Sequence, residues 1–192
     1  EHTAPGMVAA KCQKRAESVF RRRRLTPEGI VRLWEKPLST YLEDKEVIFT
    51  VSPVRHLRDG LAENQLSKAT LIVAAHTLRE RFANCRYFPA YEIMMDELRE
   101  YRFYADDMLH PSTAAIEYIW ERFTGSMLSP DSLSILKEWK DIQKAINHKP
   151  FQPESEAYKR FISQTLLKME RLNEKFPYFD MTNEVEMIKK KF

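Results

Sequence analysis

Cysteine is scarce in this 192-residue chain. There are two, Cys12 and Cys85, far apart and in no Cys-x-x-Cys spacing. That excludes an ordinary zinc knuckle and a disulfide-dense scaffold, and it leaves the redox compartment open. The five histidines make no metal-ligand spacing with these cysteines, so neither a metal nor another cofactor is expected. No run approaches the roughly 20 apolar residues that span a bilayer, and a membrane is not expected as a partner. A strong charge of one sign is also missing. The net charge of +3 is too small to argue for nucleic acid. The one dense basic run, Arg21 to Arg24, reads as a solvated segment entering a helix. The opening residues, Glu1 to Gly6, carry neither an initiator Met nor a signal-peptide pattern. They read as a cut end with targeting information out of view, the cytoplasm being slightly favoured. No repeat and no low-complexity segment is found.

What is present suits one substantial domain, or a domain with an extension. The hydrophobic content of 43% and charged content of 31% are those of a soluble globular protein. Residues 7–12 read as a short strand. Thr26-Pro27 opens a helix, since Thr can accept from the free N–H groups and Pro suits the first helical position. Ile30, Leu33, Trp34, Leu38 and Tyr41 give that helix one apolar face, and Pro37 threatens its last turn. Residues 46–51 form a β-branched apolar run, as in a strand of a covered parallel sheet, and Ser52-Pro53 ends it. A polar loop over 54–65 leads to Ser67, a good N-cap for a helix to about Phe82. A second strand is predicted at 86–88 and a short helix at 91–98. A further helix follows over about 112–123, ending near Gly125.

After residue 124 the strand signal stops. Ser129-Pro130 opens a helix with Ile135, Trp139, Ile142 and Ile146 aligned. Ser155 opens another, with Tyr158, Ile162, Thr165, Met169 and Leu172 at spacings of four and three. Phe176-Pro177 stops it, and a short basic helix closes the chain. The expectation is an α/β part over 1–124 and an all-helical extension over 125–192. Trp34, Trp120 and Trp139 read as core anchors on helix faces.

The chemistry concentrates at Asp107-Met108-Leu109-His110-Pro111. A carboxylate three residues ahead of an imidazole can hold the ring in one tautomer and stabilise its protonated form, the task of the last two members of a Ser-His-Asp triad. Ser52, Arg55 and His56 follow a predicted strand at its C-terminal end, where open α/β sheets bind ligands. The planar, permanently charged Arg55 could clamp a carboxylate or phosphate. Hydrogen bonds that merely tie down the loop explain these residues equally well. Asn64 and Lys68 are weaker candidates for the pocket. Helix-dipole compensation explains Glu92, and His76, among alanines, reads as packed.

Several long segments carry a family resemblance. They are Phe49 to His56 (FTVSPVRH), Asn64 to Ala69 (NQLSKA), Tyr87 to Met95 (YFPAYEIMM) and Tyr101 to Pro111 (YRFYADDMLHP). In this order the chain resembles the GSCFA family, within the SGNH/GDSL-like hydrolase superfamily, over residues 7–124 and into the helical tail. The resemblance implies a three-layer, flavodoxin-like parallel sheet, with His110 as general base and Asp107 orienting it. It implies a nucleophilic serine in a Gly-Ser-Cys-Phe-Ala motif, which this chain lacks. Its Gly125-Ser126 falls after the histidine and is followed by Met127, and no G-x-S-x-G elbow exists.

The chain therefore reads as the C-terminal half of a GSCFA domain plus a helical extension, inactive alone. Its serine and oxyanion donors are expected upstream. Ser52, Arg55, His56 and Asn64 would line the pocket for a small-molecule or carbohydrate ester. The rival reading is a non-catalytic interaction module that uses the helical tail and basic surface. A sheet missing strands would expose an edge and favour a homo-oligomer.

Overall fold

The computed structural model describes residues 23–58 and 60–190. The strand expected at 7–12, Cys12 and the first half of the arginine run lie outside the described residues. Residue packing groups the chain into two units, Glu1–Ile119 and Trp120–Phe192.

The first unit is mixed α/β. Helix α1, Pro27–Lys36, starts as expected: Thr26 Oγ1 accepts the Gly29 N–H at 3.1 Å with Pro27 in the first turn. Pro37 has no N–H to offer the fourth carbonyl back, so the regular ladder cannot continue. The chain widens instead into a π-type turn over Pro37–Tyr41, closed by Leu42 N–H on Pro37 O. The apolar face differs from the expected one. Leu38 is buried as expected, but so is Val31, whereas Leu33 and Tyr41 face solvent. The reason is tertiary: Ala74, Leu78 and Cys85 receive Val31 and Leu38, and Trp34 only edges onto the Phe49 ring at 5.1 Å. Burying side chains as completely as Leu38 and Leu78 contributes about 1.5–3 kcal/mol each.

Strands β1, Val47–Thr50, and β2, Cys85–Phe88, pair in parallel with Val47 opposite Cys85 and Thr50 opposite Phe88. They form a two-stranded sheet in which, among the described residues, neither has a second neighbour. Helix α2, Leu61–Arg81, connects them and packs Ala74, Ala75 and Leu78 inward. It begins six residues before the expected cap at Ser67. Gly60 adopts φ 86°, a conformation open to glycine without penalty, and turns the chain straight into the helix. Asn64 and Lys68 therefore sit one helical turn apart on a single face, not in a loop and at its edge.

Helix α3, Ala90–Glu92, runs on into a π-type turn over Ile93–Glu97. Helix α4, Thr113–Met127, is longer than expected and contains Gly125 and Ser126. Gly125 takes no left-handed conformation there, so nothing turns the chain, and Ser126 Oγ donates back to Arg122 O at 2.8 Å. Trp120 is half-exposed, one turn from the exposed Ile116, and stacks on Phe123. It is not the core anchor its spacing suggests, because Ala115 holds the buried position of that stretch.

The second unit is helical as expected. Ser129 caps α5, Pro130–Asn147, and Ser155 caps α6, Glu156–Lys175, each accepting the N–H three residues on at 3.2 Å. Tyr158, Ile162, Thr165, Met169 and Leu172 are all buried, so the four-and-three spacing marks the true inner face. Helix α7, Thr182–Lys189, adds Ile188 to the same cluster. No helix among the described residues is long and apolar enough to cross a membrane.

Candidate functional site

The Asp107–His110 stretch lies in a loop that leaves Tyr104 and returns at Pro111. These two residues form an antiparallel bridge. Ala105 N–H donates to His110 O at 2.8 Å, and Ser112 N–H to Phe103 O at 2.8 Å, closing the loop's neck. Within it Met108 holds φ 59°, a left-handed conformation unusual for a residue with a long side chain. That turn aims two successive N–H groups at one carboxylate oxygen. Asp107 Oδ1 accepts Leu109 N–H at 2.9 Å and His110 N–H at 3.0 Å. The other oxygen, Oδ2, lies 2.5 Å from His110 Nδ1.

Every backbone polar group from Met108 to His110 has a partner. Met108 N–H donates to Ala105 O, and Leu109 O accepts Arg55 N–H at 3.1 Å. Met108 O accepts from Arg55 Nη1 at 3.2 Å. A loop with its backbone groups all engaged keeps one shape.

The electrostatics follow from this geometry. The His110 backbone N–H, the His110 ring and the Leu109 N–H together hold the Asp107 carboxyl down to about 2. Asp107 is thus an anion at neutral pH, facing His110 Nδ1. Among the described residues nothing bonds the other ring nitrogen, Nε2, and the His110 side chain is 60% exposed. Chemically the arrangement can hold a proton on Nδ1 and present a basic Nε2 to an incoming group.

The remaining expected residues surround this loop unequally. Arg55 Cζ lies over the Tyr104 ring, 3.8 Å from its centroid, and one guanidinium nitrogen donates to Met108 O. Asn64 is buried, and its Oδ1 accepts His56 N–H at 2.9 Å. Ser52 is exposed, with Oγ accepting Val54 N–H at 3.2 Å. The His56 side chain is exposed. The structure brings Arg55 directly against the Asp107–His110 loop; Ser52 and His56 belong to the segment that carries Arg55, and Asn64 holds that segment from helix α2.

Two residues go beyond the sequence reading. Lys68 is buried, not solvated, and its Nζ donates to Ser52 O at 2.5 Å. Desolvation lowers its pKa. Glu92 is more than a dipole partner: Oε1 accepts the Tyr87 hydroxyl at 2.7 Å, while Oε2 is buried with no hydrogen-bond partner among the described residues. The sequence signal for both was faint, a charged residue inside an otherwise mixed helix face. His76 packs on Tyr87, ring centroids 4.6 Å apart, as expected of a packed histidine. Buried Cys85 is a free thiol whose pKa burial raises. No group of described residues has the makings of a metal site.

Comparison with known proteins places the chain by family. No curated protein and no solved structure matches it. Residues 139–192 match the C-terminal domain of GSCFA domain proteins. Residues 1–123, with the Asp107–His110 loop among them, match the GSCFA family itself. The chain belongs to the GSCFA family.

Proposed function

We propose that this chain carries the base-and-orienter half of an SGNH-type serine esterase site. The observation that carries the reading is the Asp107–His110 geometry. The carboxylate is held ionised by two backbone N–H groups on one oxygen, and its other oxygen lies 2.5 Å from Nδ1 of an exposed imidazole. In the reaction, His110 Nε2 takes the proton of a serine hydroxyl as that oxygen attacks an ester carbonyl. The imidazolium then gives the proton to the leaving alkoxide. Asp107 stabilises the transient cation without itself being protonated. The serine and its oxyanion donors would come from a segment outside this chain, and half a triad does not turn over by itself.

The three-layer sheet belongs to the same proposal. Both strands have an open side among the described residues, and further strands laid there would bring a serine-bearing loop to the strand ends. Without them, a second copy of the chain could cover the edges. The substrate class follows from superfamily analogy: a small-molecule or carbohydrate ester, an acetyl group foremost. Ser52 and His56, exposed beyond the end of β1, would line its pocket.

The deciding experiment is turnover of a short-chain ester by the protein expressed at its full coding length, with and without His110→Ala. The reading expects loss of nearly all turnover. Undiminished hydrolysis without His110 would show the reading to be wrong.

A further inference from the structure

Arg55 is held in a bracket. The segment that carries it leaves β1 at Ser52, whose carbonyl accepts the buried Lys68 ammonium at 2.5 Å. It is tied again at His56, whose N–H donates to the buried Asn64 side chain at 2.9 Å. Both anchors stand one turn apart on α2, so both ends of residues 52–56 are fixed to a 21-residue helix. Between them Arg55 reaches 53 residues along the chain. It grips the catalytic loop at three points: N–H on Leu109 O, Nη1 on Met108 O, and the guanidinium carbon 3.8 Å from the Tyr104 ring centroid. The first two contacts take the carbonyls of Leu109 and of the left-handed Met108 itself. The third contact rests on the residue at the loop's neck.

We infer that Arg55 is a positioning residue. It sets the Asp107–His110 pair through the loop backbone and does not itself bind substrate. This inference rests on the hydrolase reading for its catalytic meaning, but its geometry stands without it. The loop has no helix or sheet ladder of its own. Its shape depends on the turn at Met108, and that turn is what directs the Leu109 and His110 N–H groups onto Asp107 Oδ1. Arg55 holds that turn from outside by its carbonyls. A lysine cannot substitute fully. It could reach Met108 O, but it has no planar face to lay on a ring and no fork to keep the donor in line. A loop released by about 1 Å can cost as much as roughly 100-fold in turnover, because the imidazole then misses its target.

The test uses Arg55→Met and Arg55→Lys in the chain as it stands, with folding checked by far-ultraviolet circular dichroism. Carbon-13 NMR follows the Asp107 carboxyl, and amide exchange follows Leu109 and His110. In the parent the carboxyl titrates at about 2. In a folded Arg55→Met it should climb toward the ordinary 3.8, with the two amides exchanging about tenfold faster or more. Arg55→Lys should fall between the two. If folded Arg55→Met keeps the parent titration and exchange, the inference is overturned. Should Arg55→Met not fold, unchanged values in Arg55→Lys overturn it equally. In the full-length esterase, Arg55→Lys should lower kcat with KM held within about twofold. A raised KM with unchanged kcat would make Arg55 a substrate clamp and refute the positioning role. Persistence of turnover in His110→Ala would instead sink the hydrolase reading and leave the NMR result standing.

Discussion

Asp107→Asn separates the loop-building role of this carboxylate from its chemical one. Asp107 accepts three hydrogen bonds: two backbone N–H groups on Oδ1, at 2.9 and 3.0 Å, and His110 Nδ1 beside Oδ2 at 2.5 Å. Asparagine retains the first oxygen, so two of the three survive and the loop keeps its shape. At the second position it presents an NH2, a donor. Two donors cannot share that 2.5 Å contact, so His110 must turn Nδ1 into an acceptor and carry its proton on Nε2. In the proposed reaction that is the atom which accepts the serine proton. The expected outcome is a fall in kcat of about 10⁴-fold with the fold intact, as tautomer inversion does in serine-protease triads. The assay is ester turnover by the full-length protein, paired with nitrogen-15 NMR of the imidazole, which reads the tautomer directly. Asp107→Ala should lose the loop as well, seen as faster exchange at the Leu109 and His110 amides. The pH profile gives a second check. A carboxyl titrating at about 2 is protonated in only about one molecule per thousand at pH 5. Any acid limb in activity above pH 5 is therefore not the titration of Asp107. The reasoning fails if Asp107→Asn retains turnover within about tenfold of the parent while the NMR shows the inverted tautomer.

Met108 offers a backbone test: at φ 59°, Met108→Gly should be neutral or stabilising by up to about 1 kcal/mol, and Met108→Val should destabilise by about 1–2 kcal/mol, read from denaturant melts. In the helical unit Ile162 is fully buried, and Ile162→Ala should cost about 2–5 kcal/mol in the same melts; a loss below 1 kcal/mol would mean the α5–α6–α7 core is not as packed. Acid and alkali should act through different groups. Asp107 has a depressed folded pKa, so its stabilisation is present above the ordinary 3.8 and is lost as pH falls through about 2. Tyr87 is raised by burial and by its bond to Glu92, so its contribution is full below 10 and is lost as pH rises through its higher folded value. Tyr87→Phe should flatten the alkaline side of a stability–pH curve.

The parts of this protein legible from sequence are those built from neighbours along the chain. Asp107 and His110 are three residues apart, and the loop between them satisfies its own carboxylate, so the pair could be recognised before any tertiary contact was known. The same holds for the Thr26, Ser129 and Ser155 caps, where one side chain meets an N–H three residues ahead. It holds again for α6, whose inner face repeats every three or four residues because the helix does. Hydrogen-bond and helix geometry act over a few residues, and the sequence records them.

What only the tertiary structure decided involves partners far apart. Val31 is buried while Leu33 and Tyr41 are exposed, because α2 and the sheet receive the side of α1 that carries Val31 and Leu38. Gly60 starts α2 ahead of Ser67, and the early start turns Asn64 and Lys68 into buried anchors for residues 52–56. From its chemistry Arg55 reads equally as a ligand clamp or as a loop tie, and the fold sets its guanidinium against Met108 O and the Tyr104 ring. An arginine's donors are the same for a substrate carboxylate and for a backbone carbonyl. Which one it meets depends on what the fold brings within 3.2 Å, and side-chain type alone carries no record of that.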